Sequence, residues 1–242
     1  MTLRLHVNVD HVATLRQARR ESFPDPIAWA LACERAGADG ITCHLRKDRR
    51  HIQDRDVARL RAELSTLLNL ECSLDEEMLT LALTSGAEAF CVVPEKRSEV
   101  TTEGGLDCLQ EKARLLEAVP ALTAAGGLVS LFVDPEPAQL DAAVEVGAPF
   151  VELHTGAYAN AASGPAREEE LERLARAARH ARSIGLRVNA GHGLDYENVG
   201  AVAALEGVEE LNIGFALVAR AVFSGVETAV RDMRAAMGLA SA

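Results

Sequence analysis

The densest chemistry in the chain lies in Thr42-Cys43-His44-Leu45-Arg46-Lys47-Asp48-Arg49-Arg50-His51. Two histidines and three arginines fall within eight positions, after a short apolar run and before a clear helical pattern. Imidazoles exchange protons near neutral pH. Guanidinium forks match phosphate and carboxylate oxygens. Such a segment suits a strand end and the loop leaving it. There it offers acid–base groups beside an anion site. Arg49 and Arg50 read as a solvated run pairing with Asp48, Asp54 and Asp56, which leaves Arg46 and His51 as the anion-binding candidates.

Similar polar groups close the other apolar runs. Asn8, Asp10 and His11 follow the first run, Glu71 the third and Glu95 the fourth. Asp134, then Glu152 with His154, Asn189 with His192, and Asn212 follow the fifth to eighth. A set of this kind is costly to bury unless its members are paired or used. Gly191-His192-Gly193 and Gly214 are the turns where backbone N–H groups can approach an oxyanion. Thr101-Thr102-Glu103-Gly104-Gly105 sits in a long loop with the composition of a lid.

The elements that must position these groups alternate. The strands expected are Leu5–Val9, Gly40–His44, Leu67–Leu70, Ala89–Val93, Leu128–Val133, Phe150–His154, Leu186–Asn189 and Glu210–Ile213. An arginine-rich loop is expected after the first strand. Asp25-Pro26 then caps a helix running to Gly37. Helices are expected from Asp54 to Leu64, from a Ser73/Glu76 capping box to Thr84, and from Leu106 to Ala125. Others are expected at Glu136–Val146, Ala166–Ser183, Asn198–Ala204 and Ala216–Met237. Eight βα units predict a closed α/β (β/α)8 TIM barrel with additional short helices, as one domain over 1–242. An open doubly wound sheet is disfavoured, because no G-x-G-x-x-G follows the first strand. In a barrel all eight strand ends share one mouth, so the polar groups converge.

Composition narrows the function. The net charge of −11 argues against general nucleic-acid binding. No run reaches the ~20 apolar residues of a membrane span, and the N-terminus lacks a signal-sequence pattern. Five scattered cysteines without metal-ligand spacing predict buried thiols in a reducing compartment, hence a soluble, cytoplasmic protein. The only lysines are Lys47, Lys96 and Lys112. None ends strands five to eight, which disfavours a Schiff-base aldolase. A metal-dependent barrel hydrolase using His11, His44, His154 and His192 is one rival, although strand one lacks an H-x-H pair. A non-catalytic sugar-phosphate-binding protein is another; it would not need titratable groups on three strands.

The motifs Asn8-Val9-Asp10-His11-Val12-Ala13-Thr14-Leu15-Arg16, His44 to His51, Val93-Pro94-Glu95-Lys96-Arg97 through Gly105, Glu152-Leu153-His154-Thr155-Gly156 and Asn189-Ala190-Gly191-His192-Gly193-Leu194 resemble, in order, those of the pyridoxine 5′-phosphate synthase family. The resemblance implies a cofactor-free barrel enzyme of vitamin B6 biosynthesis. It joins 1-deoxy-D-xylulose 5-phosphate to 3-amino-2-oxopropyl phosphate, giving pyridoxine 5′-phosphate, phosphate and water. By resemblance His44 and Glu71 are general bases and His192 the general acid. Asn8 and Gly193 hold the amino ketone phosphate, whose phosphate sits at Gly214 and residue 215. Asp10, His11, Arg46, His51 and Thr101 hold the deoxyxylulose phosphate. Arg19 also binds substrate, in this family across a subunit boundary. The resemblance further implies a homo-octamer and no metal. The family usually carries Gly-His after strand eight, where this chain has Gly214-Phe215.

Overall fold

The computed structural model describes residues 3–95 and 104–240. Eight parallel strands close in sequence order: β1 (Arg4–Asn8), β2 (Gly40–His44), β3 (Leu67–Cys72), β4 (Ala89–Val92), β5 (Leu128–Val133), β6 (Phe150–His154), β7 (Arg187–Gly191) and β8 (Val208–Ile213). The β8–β1 pairing, Leu5 opposite Leu211 and Val7 opposite Ile213, completes the (β/α)8 barrel.

Outside this cylinder lie α1 (Asp10–Arg19), α2 (Pro26–Arg35), α3 (Asp54–Glu63), α4 (Glu76–Ser85), α5 (Lys112–Ala124) and α6 (Pro137–Glu145). They are followed by α7 (Gly156–Asn160), α8 (Pro165–Ser183), α9 (Val199–Ala203), α10 (Phe215–Ser224) and α11 (Val226–Ala236).

Strand periodicity sorts the side chains. Leu5, Val7, Ile41, Cys43, Leu68, Leu70, Val151, Leu153 and Leu211 belong to one continuous apolar layer with the helices. The alternate positions are largely polar and bond to one another across the barrel. Thr42 Oγ1 donates to Asn212 Oδ1 at 2.7 Å. Asn189 Nδ2 donates to Glu210 at 3.2 Å. His6 Nε2 lies 3.1 Å from Glu210. Cys91, Val93 and Phe132 form a separate small apolar group.

Five local expectations are corrected. The arginine-rich segment after β1 is helix α1, not a loop. Its Val12, Ala13 and Arg16 are buried, and Asp10 stands in its first turn, where an acidic side chain favours a helix. The cap of α4 is Asp75, whose carboxylate accepts from Glu77 N at 3.1 Å, rather than Ser73. Helix α5 begins at Lys112, six residues later than expected. The loop after β6 contains the short helix α7. The last helix is two, because Gly225 takes φ +80° between α10 and α11, a conformation that suits glycine. The Asp25 cap of α2 is as expected, accepting from Ile27 N at 3.2 Å. All five cysteines are buried thiols.

Candidate active site

The C-terminal strand ends enclose a cavity of about 870 Å³. On its wall stand Asn8, Asp10, His11, His44, Arg46, His51, Glu71, Glu152, His192, Gly193, Gly214 and Phe215. Most of the expected site residues therefore converge. Two do not enter this description. Arg19 is exposed at the end of α1 and does not line the cavity. Thr101 lies outside the described residues.

One side is a proton-exchange cluster on β1–β3. Asp10 Oδ1 accepts from the His44 backbone N–H at 2.8 Å, and its Oδ2 accepts from Asn8 Nδ2 at 3.0 Å. The β2–β3 register sets His44 opposite Glu71. His44 Nδ1 lies 3.9 Å from Glu71 Oε2 and its Nε2 lies 3.8 Å from Glu95 Oε2. Glu95 is itself held by the Lys47 backbone N–H at 3.1 Å. Burial, then the charges of Asp10 and Glu152, push the Glu71 carboxyl well above the ordinary glutamate range.

Asp10, His44 and Glu71 bring one potential ligand atom each within 4.8 Å of one another. Among the described residues this trio has the spacing that a cation would need. It differs from the four histidines that a metallohydrolase would draw on. Asp10 already spends both oxygens on protein donors.

The arginines of the segment after β2 divide as their surroundings dictate. Arg46 is fully buried, with Nε 3.6 Å from Asp48. Arg49 pairs with Asp54 at 3.0 Å and Glu77 at 2.7 Å, and Arg50 with Asp48 at 2.7 Å. Asp56, expected to join them, instead pairs with Arg16 of α1 at 2.6 Å. Sequence reading missed Arg16, because its partner lies forty positions away and no local pattern announces it.

The opposite side is built by β6–β8. His192 takes φ +88°, a sparsely populated conformation for a residue with a Cβ, and Gly193 follows at +76°. The Thr155 hydroxyl holds this turn, 2.8 Å from the Gly191 carbonyl oxygen and 2.5 Å from that of His192. Asn198 Nδ2 donates to the Gly193 carbonyl at 3.2 Å. A Cβ on Gly191 would stand 2.3 Å from Glu152 Oε1, so only glycine leaves room for that carboxyl. His192 packs edge-on against His154, whose Nδ1 is 2.8 Å from Asp134. Burial, then His154 and His11, lower the His192 imidazole to about 4. Gly214 and the start of α10 close the mouth beside Asn8 and His11. Phe215 meets the His11 ring edge-on at 5.3 Å.

Glu152 is among the expected strand-end groups, and its coupling to Glu210 is the new part. Asn212 Nδ2 donates to Glu152 Oε2 at 2.8 Å and lies 3.3 Å from Glu210. Burial, then Glu210, raises the Glu152 carboxyl to about 8, and burial raises Glu210 to about 7. Both carboxyls hold protons in the folded protein at pH values where the unfolded chain has released them. Their contribution to stability is therefore present below the ordinary glutamate value of 4.5 and is lost as pH rises towards 8. The buried His6, lowered from 6.5 to about 3, works the other way, and its contribution is lost as pH falls below 6.5. Thermal melts should thus show declining stability from about pH 6 to about pH 9 in the wild type and a flatter decline in Glu152→Gln. Parallel slopes in the two proteins would count against a raised Glu152.

The fold and this mouth define a (β/α)8-barrel enzyme equipped for acid–base chemistry on small anionic substrates. Two crystal structures share the fold at low identity. These are 3-hexulose-6-phosphate synthase (TM-score 0.67, 17% identity, 98% of this chain and 100% of that one) and KGPDC from Streptococcus mutans (0.66, 14%, 98% of each). The family model of the pyridoxal phosphate biosynthesis protein PdxJ matches residues 5–239. The chain is 59% identical over 235 residues to the pyridoxine 5′-phosphate synthase of Thioalkalivibrio sulfidiphilus (strain HL-EbGR7), covering 97% of this chain and 96% of that protein. It is 56% identical over 237 residues to that of Synechococcus sp. (strain JA-2-3B'a(2-13)), covering 98% and 99%. The chain belongs to the PdxJ family, and its activity is pyridoxine 5′-phosphate synthesis.

Proposed function

We propose that this mouth condenses 1-deoxy-D-xylulose 5-phosphate with 3-amino-2-oxopropyl phosphate by proton transfer alone, with Glu71 and His44 as bases and His192 as the acid. The observation that carries the reading is the opposition of titratable groups across one cavity, a pair on one wall and a third on the other. Glu71 and His44 stand on adjacent strands, and His192 stands on the far wall.

The substrate amine supplies the nitrogen that adds to the ketone, so no enzyme lysine is needed. Addition, loss of phosphate and ring closure then require protons to leave carbon and reach departing oxygen. A carboxyl held well above the ordinary glutamate range serves the first need, since it can take a proton and return it. His192 is neutral in the empty site, lowered to about 4. Two bound phosphates bring negative charge, which favours the imidazolium. The acid is thus charged by its substrates.

Anchoring follows the same logic. The N–H groups opening α10, beside Gly214, suit the phosphate of the amino ketone, with Asn8 and Gly193 around its polar body. Asp10, His11, Arg46 and His51 suit the deoxyxylulose phosphate, with Thr101 as a further contact from the loop and Arg19 reaching a neighbouring copy. We place the enzyme in the cytoplasm as a homo-oligomer, an octamer by family resemblance, each chain one barrel domain over 1–242. Exposed Leu15, Phe23, Val222 and Phe223 support contact between copies. Among the described residues no helix is long and apolar enough to cross a membrane.

A chelator-treated, cofactor-free assay that follows pyridoxine 5′-phosphate and released phosphate tests the reading. Equal yields of both are expected. Turnover restored only by added zinc would replace it with a metal-dependent mechanism at Asp10, His44 and Glu71. A backbone role at position 215 predicts that Phe215→His changes KM for the amino ketone phosphate by only about 2–5-fold, the scale of one net hydrogen bond or less. A far larger gain would assign the contact to an imidazole.

A further inference from the structure

We infer that Arg16 and Asp56 are positioning residues that lock His51 into one tautomer, so that it meets substrate as a neutral Nε2–H donor. This rests on the reading of the cavity as the deoxyxylulose phosphate site.

His51 follows the segment Arg46–Arg50 and is 9% exposed on the cavity wall. Its Nδ1 accepts the Ile52 backbone N–H at 2.8 Å. A ring nitrogen that accepts from an N–H carries no proton, so the proton of the neutral ring sits on Nε2. Ile52 is fully buried, which keeps its N–H from turning to water.

The backbone that sets this geometry is clamped from α1. Arg16 is 3% exposed, and its two terminal nitrogens span two partners. Nη1 and Nη2 reach the two oxygens of Asp56 at 2.8 and 2.6 Å, and Nη2 also donates to the His51 carbonyl at 3.1 Å. Asp56 Oδ2 in turn accepts the Gln53 backbone N–H at 2.9 Å. Gln53 Nε2 donates back to the His51 carbonyl at 2.9 Å. One buried guanidinium–carboxylate pair therefore fixes the peptides on both sides of Ile52, the residue whose N–H holds the ring. A planar fork is required for this, because the donors of a lysine radiate from one nitrogen and cannot match two separate nitrogens, Nη1 and Nη2, set side by side against the carboxylate.

The groups facing the imidazole favour a neutral ring. Burial lowers its pKa most, with His44 of β2, Arg46 and His11 of α1 adding to this and Asp10 opposing. A neutral N–H donor suits a substrate carbonyl or hydroxyl oxygen better than it suits a phosphate dianion. The Arg46 guanidinium on the same wall fits the dianion.

The test uses the full-length enzyme. Histidine 15N spectra of the substrate-free protein, assigned by difference with His51→Gln, should show an unprotonated Nδ1 and a protonated Nε2. An averaged or reversed pattern overturns the inference. Glutamine can present its amide N–H near the Nε2 position, and asparagine can mimic Nδ1–H. KM for the deoxyxylulose phosphate should thus rise about 10-fold or more in His51→Asn and distinctly less in His51→Gln, the value of one hydrogen bond. Asparagine matching or surpassing glutamine would sink it. Arg16→Lys should shift the His51 spectrum towards mixed tautomers and raise KM more than it lowers kcat; a pure wild-type spectrum would remove Arg16 from the role. If Arg16→Lys does not fold, the charge-free double variant Arg16→Met with Asp56→Leu takes its place in the same spectrum, and a pure wild-type pattern there would likewise remove the pair from the role. A wild type that makes no pyridoxine 5′-phosphate would instead refute the substrate assignment, and the tautomer would stand as measured.

Discussion

Glu71→Gln should lower kcat by about 10²–10⁴-fold, the contribution of one general base, while the protein melts at or above the wild-type temperature. The two halves of this expectation come from one cause. Burial and the neighbouring Asp10 and Glu152 charges raise the Glu71 carboxyl, so its ionised form is held at a cost. Glutamine has the same shape and no charge, and it relieves that cost. It also cannot exchange a proton, and that exchange is what the condensation needs. His44→Ala should give a loss of similar scale, because His44 stands between Glu71 and Glu95 at 3.9 and 3.8 Å. Steady-state kinetics beside calorimetry separate the outcomes. Near-wild-type turnover in both variants would remove the base assignment. A collapse of folding in Glu71→Gln would show that the carboxyl is structural.

What the sequence discloses about such a site follows from the range of each interaction. The strands were readable because apolar alternation is local, and the mouth was readable because barrel topology gathers every strand end on one face. His44, Glu71 and His192 were found in this way. Helix α1 was not, because an arginine-rich segment reads as solvated until the burial of Arg16 is known. The Glu152–Asn212–Glu210 chain was only partly seen. A carboxylate in an apolar strand is visible, but the residues sharing its charge come from another strand some sixty positions away. The division of the last helix was missed because Gly225 interrupts a pattern that stays amphipathic on both sides. The pairing of Asp56 is hidden for a different reason: its partner Arg16 is near in space and forty positions away in sequence.

That misassigned aspartate carries the largest expected loss of stability. Asp56→Ala should destabilise the fold by about 3–5 kcal/mol, the usual result of leaving one member of a buried ion pair alone. Arg16 and the Asp56 side chain are 3% and 2% exposed, so water cannot replace the missing carboxylate. The variant also removes the acceptor for the Gln53 N–H at the start of α3. Replacing both partners, as Arg16→Met with Asp56→Leu, should cost clearly less than Asp56→Ala, because the penalty lies in the orphaned charge more than in the lost attraction. Urea titration of the two proteins distinguishes these terms. If the double variant proves as unstable as the single one, the bidentate contact itself is the main source of stability there. The double variant has a second use. It should fold while lacking the Arg16 share of the clamp on the His51 carbonyl, so any rise in KM it shows for the deoxyxylulose phosphate reports alignment of the imidazole, separated from the stability of the barrel that carries it.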